Sequence, residues 1–478
     1  MNYKVILHTL GWVLNFEAIC MVLPLLCAVF YRESYVILFA LCIALCLLTG
    51  AIFTVKAPKN RAMYSKEGYI TVALSWIIMS IFGALPFWLS GAIPRFEDAL
   101  FETVSGFTTT GALILTDVEA MPKCMLFWRS FTHWIGGMGV LVFLVAILPL
   151  SGGNNLYLIR AESPGPAVGK LVPKIKSTAK ILYGIYTVFT IIQVILLLCG
   201  GMNLFDALTT AFGTAGTGGF AVKNSSMAGY SSYIQIVVTV FMIIFGIDFS
   251  VYYLLLIGRF RSAFHSTEAR AYLGIIAAAS AVICLNSFGI FGSIGNAIKH
   301  STFQVASIIT TTGYATADFD RWPELSKTVL VGLMFIGACA GSTGGGIKVS
   351  RIVILFKTIV KELRITAHPK STHKITMNGR VVEHETVRAI NVFLASYLMI
   401  FAISLLIISL DNFSFTTNFT AVATTINNVG PGLDLVGPTR NFSLYSPVSK
   451  LVLIFNMLVG RLEIFPMLIL FSPYTWKK

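Results

Sequence analysis

Apolar runs of two lengths alternate along this chain, separated by short polar turns. The long runs, each of about 20 residues or more and so able to cross a bilayer as a helix, fall at residues 9–30, 34–55, 69–90, 123–150, 179–201, 231–258, 268–290, 326–360, 387–410 and 447–472. The short ones, at residues 96–108, 204–214, 298–310 and 415–426, cannot span. Each short run lies between two long ones and ends in a string of small, hydroxylated and glycine residues. The strings read FTTTGAL at 107–113, GTGGFA at 216–221, SIITTTGYAT at 307–316 and ATTINNVGPG at 423–432. Alternation of the kind a membrane β-barrel requires is absent.

The pattern predicts an all-α polytopic membrane protein built from four tandem repeats of helix, pore half-helix, extended filter and helix around one central pore. The runs at 9–30 and 34–55, joined by a tight turn at Tyr31-Arg32-Glu33, precede the first string and form two extra N-terminal helices. The predicted divisions are 1–67 for this addition and 68–158, 159–262, 263–384 and 385–478 for the repeats. Four strings spaced by roughly 100 residues mark a repeated unit. Their equivalent glycines are Gly111, Gly219, Gly313 and Gly430, with Gly218 an alternative in the second string. Non-helical backbone at membrane depth is tolerated only where it lines a cavity or is buried in protein. A glycine adopts the positive φ that a row of inward carbonyls needs, and rings of carbonyls replace the water shell of K⁺. The candidate ion-coordinating residues are therefore Thr109, Thr110 and Gly111; Thr217, Gly218 and Gly219; Thr311, Thr312 and Gly313; and Asn427, Asn428, Val429 and Gly430. Half-helices aiming their C-terminal, partially negative ends at this ring would favour a cation.

Composition agrees. The chain is 56% hydrophobic and 12% charged, with mean hydropathy +0.80, where a soluble protein carries about 25% charged residues. Its net charge of +14 sits in loops (Lys56, Lys59, Arg61 and Lys66; Arg160, Lys170, Lys174 and Lys176; Arg259, Arg261, His265 and Arg270) and at Lys477 and Lys478. These mark the cytoplasmic side and make the repeats parallel. With no soluble basic domain, nucleic-acid binding is excluded. Asp98, Glu102, Asp117 and Glu119 cluster on the opposite side near the first string, where an acidic mouth would concentrate cations. The eight cysteines form no CxxC pair and nearly all lie in apolar runs, as small buried hydrophobes. Glu17 interrupts the first run, which reads as an uncleaved helix.

Two features stand mid-span. ACAGSTGGG at 338–346 places Gly341, Ser342, Thr343, Gly344, Gly345 and Gly346 inside the last helix of the third repeat. Successive glycines cost about 1 kcal/mol each relative to Ala, which predicts a broken helix with an intramembrane loop that acts as a gate; the bland alternative is a kink for close packing. Lys348 and Arg351 follow as a handle for a partner. Arg461 is a charge in the last helix, read either as a regulator of cation passage or as half of an ion pair with Glu463 or Asp248. Glu17 and Asp248 are read as satisfied by neighbouring helices, and His133 as a hydrogen-bonder between helices. Asn378-Gly379 predicts a cytoplasmic β-hairpin.

Taken together, TTTG, GTGGF, TTTGYAT, NNVGPG, GACAGSTGGGIK and VGRLEIF resemble the TrkH branch of the Trk/Ktr/HKT potassium transporter superfamily, over the whole chain. The resemblance implies potassium uptake across the cytoplasmic (inner) membrane through a K⁺-selective pore, with K⁺ as transported ion and no organic cofactor. It implies a homodimer, a gate in the broken helix met by Arg461, and a cytosolic TrkA-type nucleotide-binding regulatory subunit on another chain. The competing readings are a secondary transporter coupling K⁺ to H⁺ or Na⁺ and, from a different class, an intramembrane serine hydrolase using Ser342, which lacks an identifiable base other than His133.

Overall fold

The computed structural model describes residues 1–56, 58, 63–139, 175–369 and 373–476. Large apolar side chains face outward as well as filling the core, and many polar ones are buried. Ile37 and Ile52 on one helix are 82% and 71% exposed, whereas Thr109, Thr217, Thr311 and Asn428 are fully buried. Apolar outside and polar inside suits a protein whose solvent is lipid.

The N-terminal addition is the antiparallel pair α1 (Tyr3–Phe30) and α2 (Val36–Thr54). The first repeat comprises α3 (Ser65–Leu89), the half-helix α4 (Phe96–Phe107) and α5 (Lys123–Gly137). The second has α6 (Ile175–Cys199), the half-helix α7 (Leu204–Ala215), then α8 (Ser232–Phe245) and α9 (Phe249–Leu256). A short α10 (Phe260–Phe264) leads to the third, with α11 (Thr267–Phe291), the half-helix α12 (Ile294–Ile309), α13 (Glu324–Ile336) and α14 (Val349–Ala367). Strands β1 (Thr376–Met377) and β2 (Arg380–Val381) pair antiparallel around Asn378 and Gly379, both at positive φ (50° and 76°), the conformation of a type I′ turn. The fourth repeat has α15 (His384–Ile408), the half-helix α16 (Phe415–Ile426), α17 (Pro447–Arg461) and α18 (Phe465–Phe471), with α19 (Pro473–Trp476) after it. Among the described residues six helices, α1, α2, α3, α6, α11 and α15, are long and apolar enough to cross a membrane alone.

The inner helices differ from the sequence expectation. The break in the third repeat is present, between Ile336 and Val349. The runs at 231–258 and 447–472, expected to be continuous, are broken too. The chain turns by 89° between α8 and α9, and Glu463 and Ile464 adopt positive φ between α17 and α18. The first bend has a tertiary cause. Cys339 N–H donates to Gly246 O at 3.0 Å and Phe249 N–H to Gly341 O at 3.1 Å, so the loop of the third repeat occupies the backbone groups that the bend frees. In the first repeat α5 ends at Gly137; the expected remainder of that helix, most of the linker 151–180, and Lys59, Arg61, Lys477 and Lys478 lie outside the described residues.

Candidate functional site

Each half-helix ends in the same way. Its C-cap residue (Thr108, Gly216, Thr310 or Asn427) is followed by a residue at positive φ: Thr109 at 55°, Thr217 at 54°, Thr311 at 59° and Asn428 at 55°. The next amide reaches back five residues: Thr110 N to Ser105 O at 2.9 Å, and Gly218 N to Gly213 O, Thr312 N to Ser307 O and Val429 N to Thr424 O, each at 2.8 Å. This is the Schellman arrangement, which normally uses glycine at the left-handed position. A β-branched residue there is strained by about 1–3 kcal/mol, and such strain gathers at functional sites. One residue later comes a glycine at positive φ: Gly111 at 76°, Gly219 at 75°, Gly313 at 83° and Gly430 at 101°. The backbone thus puts Gly219, not Gly218, in register with the other three.

The four strings close on one another in chain order. A Cβ on Gly111 would lie 2.0 Å from Gly218 O, one on Gly219 1.8 Å from Thr312 O, one on Gly313 2.3 Å from Val429 O, and one on Gly430 2.8 Å from Thr110 O. Every glycine therefore abuts the carbonyl that precedes the equivalent glycine of the next repeat, and the fourth returns to the first. A closed ring of backbone oxygens is a ligand set for a dehydrated monovalent cation. All four glycines also line one cavity on the outer side, whose rim carries Lys223, Asn224 and Arg440.

Side chains brace the ring from behind. His133 Nε2 accepts from Phe220 N–H at 3.2 Å, so Nδ1 carries the proton donated to Gly106 O at 2.7 Å, joining the first repeat to the second string. Tyr314 Oη donates to Thr210 O at 3.2 Å. Arg129 and Glu102 form an ion pair at 2.5 Å with both side chains about 1% exposed or less. Glu102 accepts from Ile114 N–H at 2.8 Å, and Arg129 donates to Ala221 O at 2.9 Å. The pair fixes the outer ends of two strings. The sequence reading did not single out Arg129; a cation inside the apolar run of α5 is the signal that could have found it. Glu102→Ala is expected to destabilise the protein by about 3–5 kcal/mol, because Arg129 is then buried without its counter-charge. Thermal unfolding in detergent checks this, and a parental midpoint would contradict it.

The acidic mouth is only half present. Asp98 is neutralised by Lys450 at 2.5 Å and Glu102 by Arg129. Asp117 and Glu119 stay at the surface, where both bind Asn224, at 2.7 and 3.0 Å. The Asn224 amide holds the Asp117 carboxyl below its usual range, so it remains ionised.

The loop of the third repeat packs directly beneath the ring. Gly345 N–H donates to Thr311 Oγ1 at 2.6 Å and Gly346 N–H to Asn427 O at 3.0 Å. Ser342 Oγ donates to Cys339 O at 2.6 Å and Thr343 Oγ1 to Phe245 O at 3.2 Å. From the opposite side Arg461 donates to Thr343 O at 2.9 Å and to Gly136 O and Gly137 O at 2.5 and 2.7 Å, bridging the loop to the end of α5. Glu463 pairs with Arg351, and Asp248 caps α9 through Ser250 N–H. Lys348 and Arg351, expected as a handle for a partner, are 2% and 7% exposed. Lys348 Nζ turns back to Gly344 O, and Arg351 lies over the Phe393 ring. Both serve the fold. Glu17, expected to be satisfied by neighbouring helices, is buried in α1, and neither carboxylate oxygen has a hydrogen-bond partner among the described residues.

A whole-chain likeness accompanies this geometry. The TrkH family model, described as a cation transport protein, matches residues 33–478. The Trk system potassium uptake protein TrkH of Escherichia coli K12 is 36% identical over 490 residues, covering 100% of both chains. The chain belongs to the TrkH family. Another E. coli member, the Trk system potassium uptake protein TrkG, is 32% identical over 487 residues, covering 100% of this chain and 99% of its own. The crystal structure of the potassium transporter TrkH from Vibrio parahaemolyticus superposes with a TM-score of 0.90 at 32% identity, covering 100% of both chains. The TrkH family is one of transporters rather than enzymes, and this member is an integral multi-pass membrane protein.

Proposed function

We propose that this chain takes up K⁺ across the cytoplasmic membrane through a channel-like pore. The residues at the ring, Thr109–Gly111, Thr217–Gly219, Thr311–Gly313 and Asn427–Gly430, act as the selectivity filter. The single observation behind this reading is the closure of four carbonyls, each against the glycine of the neighbouring repeat. The oxygens are backbone atoms on strained, hydrogen-bonded strands, so their spacing is held without side-chain rotation. The loop Gly341–Gly346 beneath them acts as the gate, with Arg461 as its strut. We extend the reading to a homodimer regulated by a cytosolic nucleotide-binding subunit of the TrkA type, as the motif resemblance implies.

Flux of ⁸⁶Rb⁺ into proteoliposomes, with and without an imposed pH or Na⁺ gradient, tests the reading. Passive flux that K⁺ inhibits and Na⁺ does not supports a pore. Flux that appears only with a gradient would make the protein a coupled carrier.

Arg461→Ala is expected to raise K⁺ flux for two reasons. It removes three hydrogen bonds that hold the loop across to α5. It also removes a cation that, at ~4 Å and an effective dielectric near 20, repels a passing ion by about 4 kcal/mol. The same flux assay checks it; lower flux in a folded variant would make Arg461 a purely structural strut.

A further inference from the structure

One carboxylate holds the intramembrane loop from the cytoplasmic side. Glu268, in the first turn of α11 and 8% exposed, accepts through Oε1 from Ala340 N–H at 2.6 Å and from Ser350 N–H at 3.0 Å. Ala340 belongs to the loop's entry and Ser350 to the first turn of α14, where the chain leaves it. A single oxygen therefore ties entry to exit. Both bonds are charge-assisted, and the second also places a negative charge at a helix N-terminus.

The neighbouring residue leads outward. Thr267 N–H donates to Asn378 Oδ1 at 2.7 Å, and Asn378 N–H donates to Thr267 Oγ1 at 3.3 Å. Asn378 opens the turn of the exposed β1–β2 hairpin, whose Thr376 carbonyl also accepts from Lys357 Nζ of α14 at 2.7 Å. The hairpin rests on both elements that Glu268 joins, whereas Lys348 and Arg351 are buried away from any partner.

We propose that Glu268 is the positioning residue that keeps the loop closed, and that the hairpin, through the Asn378–Thr267 pair, is the lever that releases it. The proposal rests on the loop being the gate. Moving the hairpin breaks a reciprocal pair at the first residue of α11, shifts that turn, and withdraws the carboxylate from Ala340 and Ser350 together. The loop then loses its tie to α14 and is free to draw away from the Thr311 and Asn427 contacts that hold it beneath the ring.

Cys339, fully buried beside Ala340, reports loop opening. The full chain, with its other seven cysteines replaced, is reconstituted in proteoliposomes. Cys339 labelling by a membrane-impermeant methanethiosulfonate is measured alongside ⁸⁶Rb⁺ flux. Glu268→Ala is expected to accelerate labelling and flux by about a hundredfold or more, as loss of two charge-assisted bonds implies. Glu268→Gln, which keeps an acceptor oxygen, should stay nearer the parent. Asn378→Ala should accelerate both by a few-fold, and Asn378→Asp, which keeps the acceptor, should restore the parental rate. A residue that only stabilised the fold would lower the melting temperature without changing Cys339 labelling in the folded protein. Parental labelling and flux in folded Glu268→Ala, while deletion of Gly344–Gly346 raises flux, would overturn the proposal and leave the gate standing. No rise in either variant would remove the gate itself. Should Glu268→Ala fail to fold, Asn378→Ala on the exposed hairpin carries the test, and parental labelling there would overturn the lever.

Discussion

Replacing Gly313 with serine is expected to lower the preference for K⁺ over Na⁺ by an order of magnitude or more. Two effects act together. Gly313 sits at φ 83°, where a residue with a Cβ is strained by about 1–3 kcal/mol. The Cβ would also lie 2.3 Å from Val429 O and 2.9 Å from Pro431 Cδ, too close for either to stay in place. The Val429 carbonyl is one of the four that close the ring, so the strand from the fourth repeat must move outward. A ring widened on one side no longer matches the dehydrated ion it was spaced for. The readout is the ratio of ⁸⁶Rb⁺ to ²²Na⁺ flux in proteoliposomes. An unchanged ratio in a folded variant would remove Gly313 from the filter.

Deleting Gly344–Gly346 is expected to raise basal flux severalfold and to leave the K⁺ over Na⁺ ratio intact. These glycines let the loop press against the underside of the third and fourth strings. A Cβ on Gly344 would lie 2.8 Å from Thr310 O, and one on Gly345 2.4 Å from Asn427 O. A loop three residues shorter cannot keep both the Gly345–Thr311 and Gly346–Asn427 bonds and is drawn off the axis. Gating motions of this kind run on the microsecond to millisecond scale. The deletion leaves the four strings in place, which is why selectivity should persist. Parental basal flux would exclude the loop as gate, and lost selectivity would place it in the filter.

What could be read beforehand follows the physics of each signal. The strings were legible because threonine and glycine in that order are costly in a continuous helix and rare between apolar spans. Their register in the second repeat was not: GTGGFA offers two adjacent glycines, and only the left-handed backbone at Thr217 and Gly219 separates them. The break at Gly344–Gly346 was legible from local propensity. The bends at Gly246–Asp248 and Glu463–Ile464 were not, since an isolated glycine, charge or proline inside a long apolar run does not by itself mark a break. The first exists because another repeat's loop supplies hydrogen-bond partners there, and a one-dimensional pattern carries no record of such a partner. Charges behaved likewise. Glu102 read as a surface acid because its pairing with Arg129 is set by packing between α4 and α5. Lys348 and Arg351 read as an accessible handle, yet the chain folds their side chains back to Gly344 and Glu463.

The central claim is that cations pass along the axis bounded by the carbonyls of Thr110, Gly218, Thr312 and Val429. Anomalous diffraction from crystals grown with Rb⁺ in place of K⁺ tests it most directly. Peaks on that axis, level with these four oxygens and abolished by exchange into Na⁺, are the predicted result. An empty ring, with Rb⁺ bound elsewhere between the helices, would contradict the account.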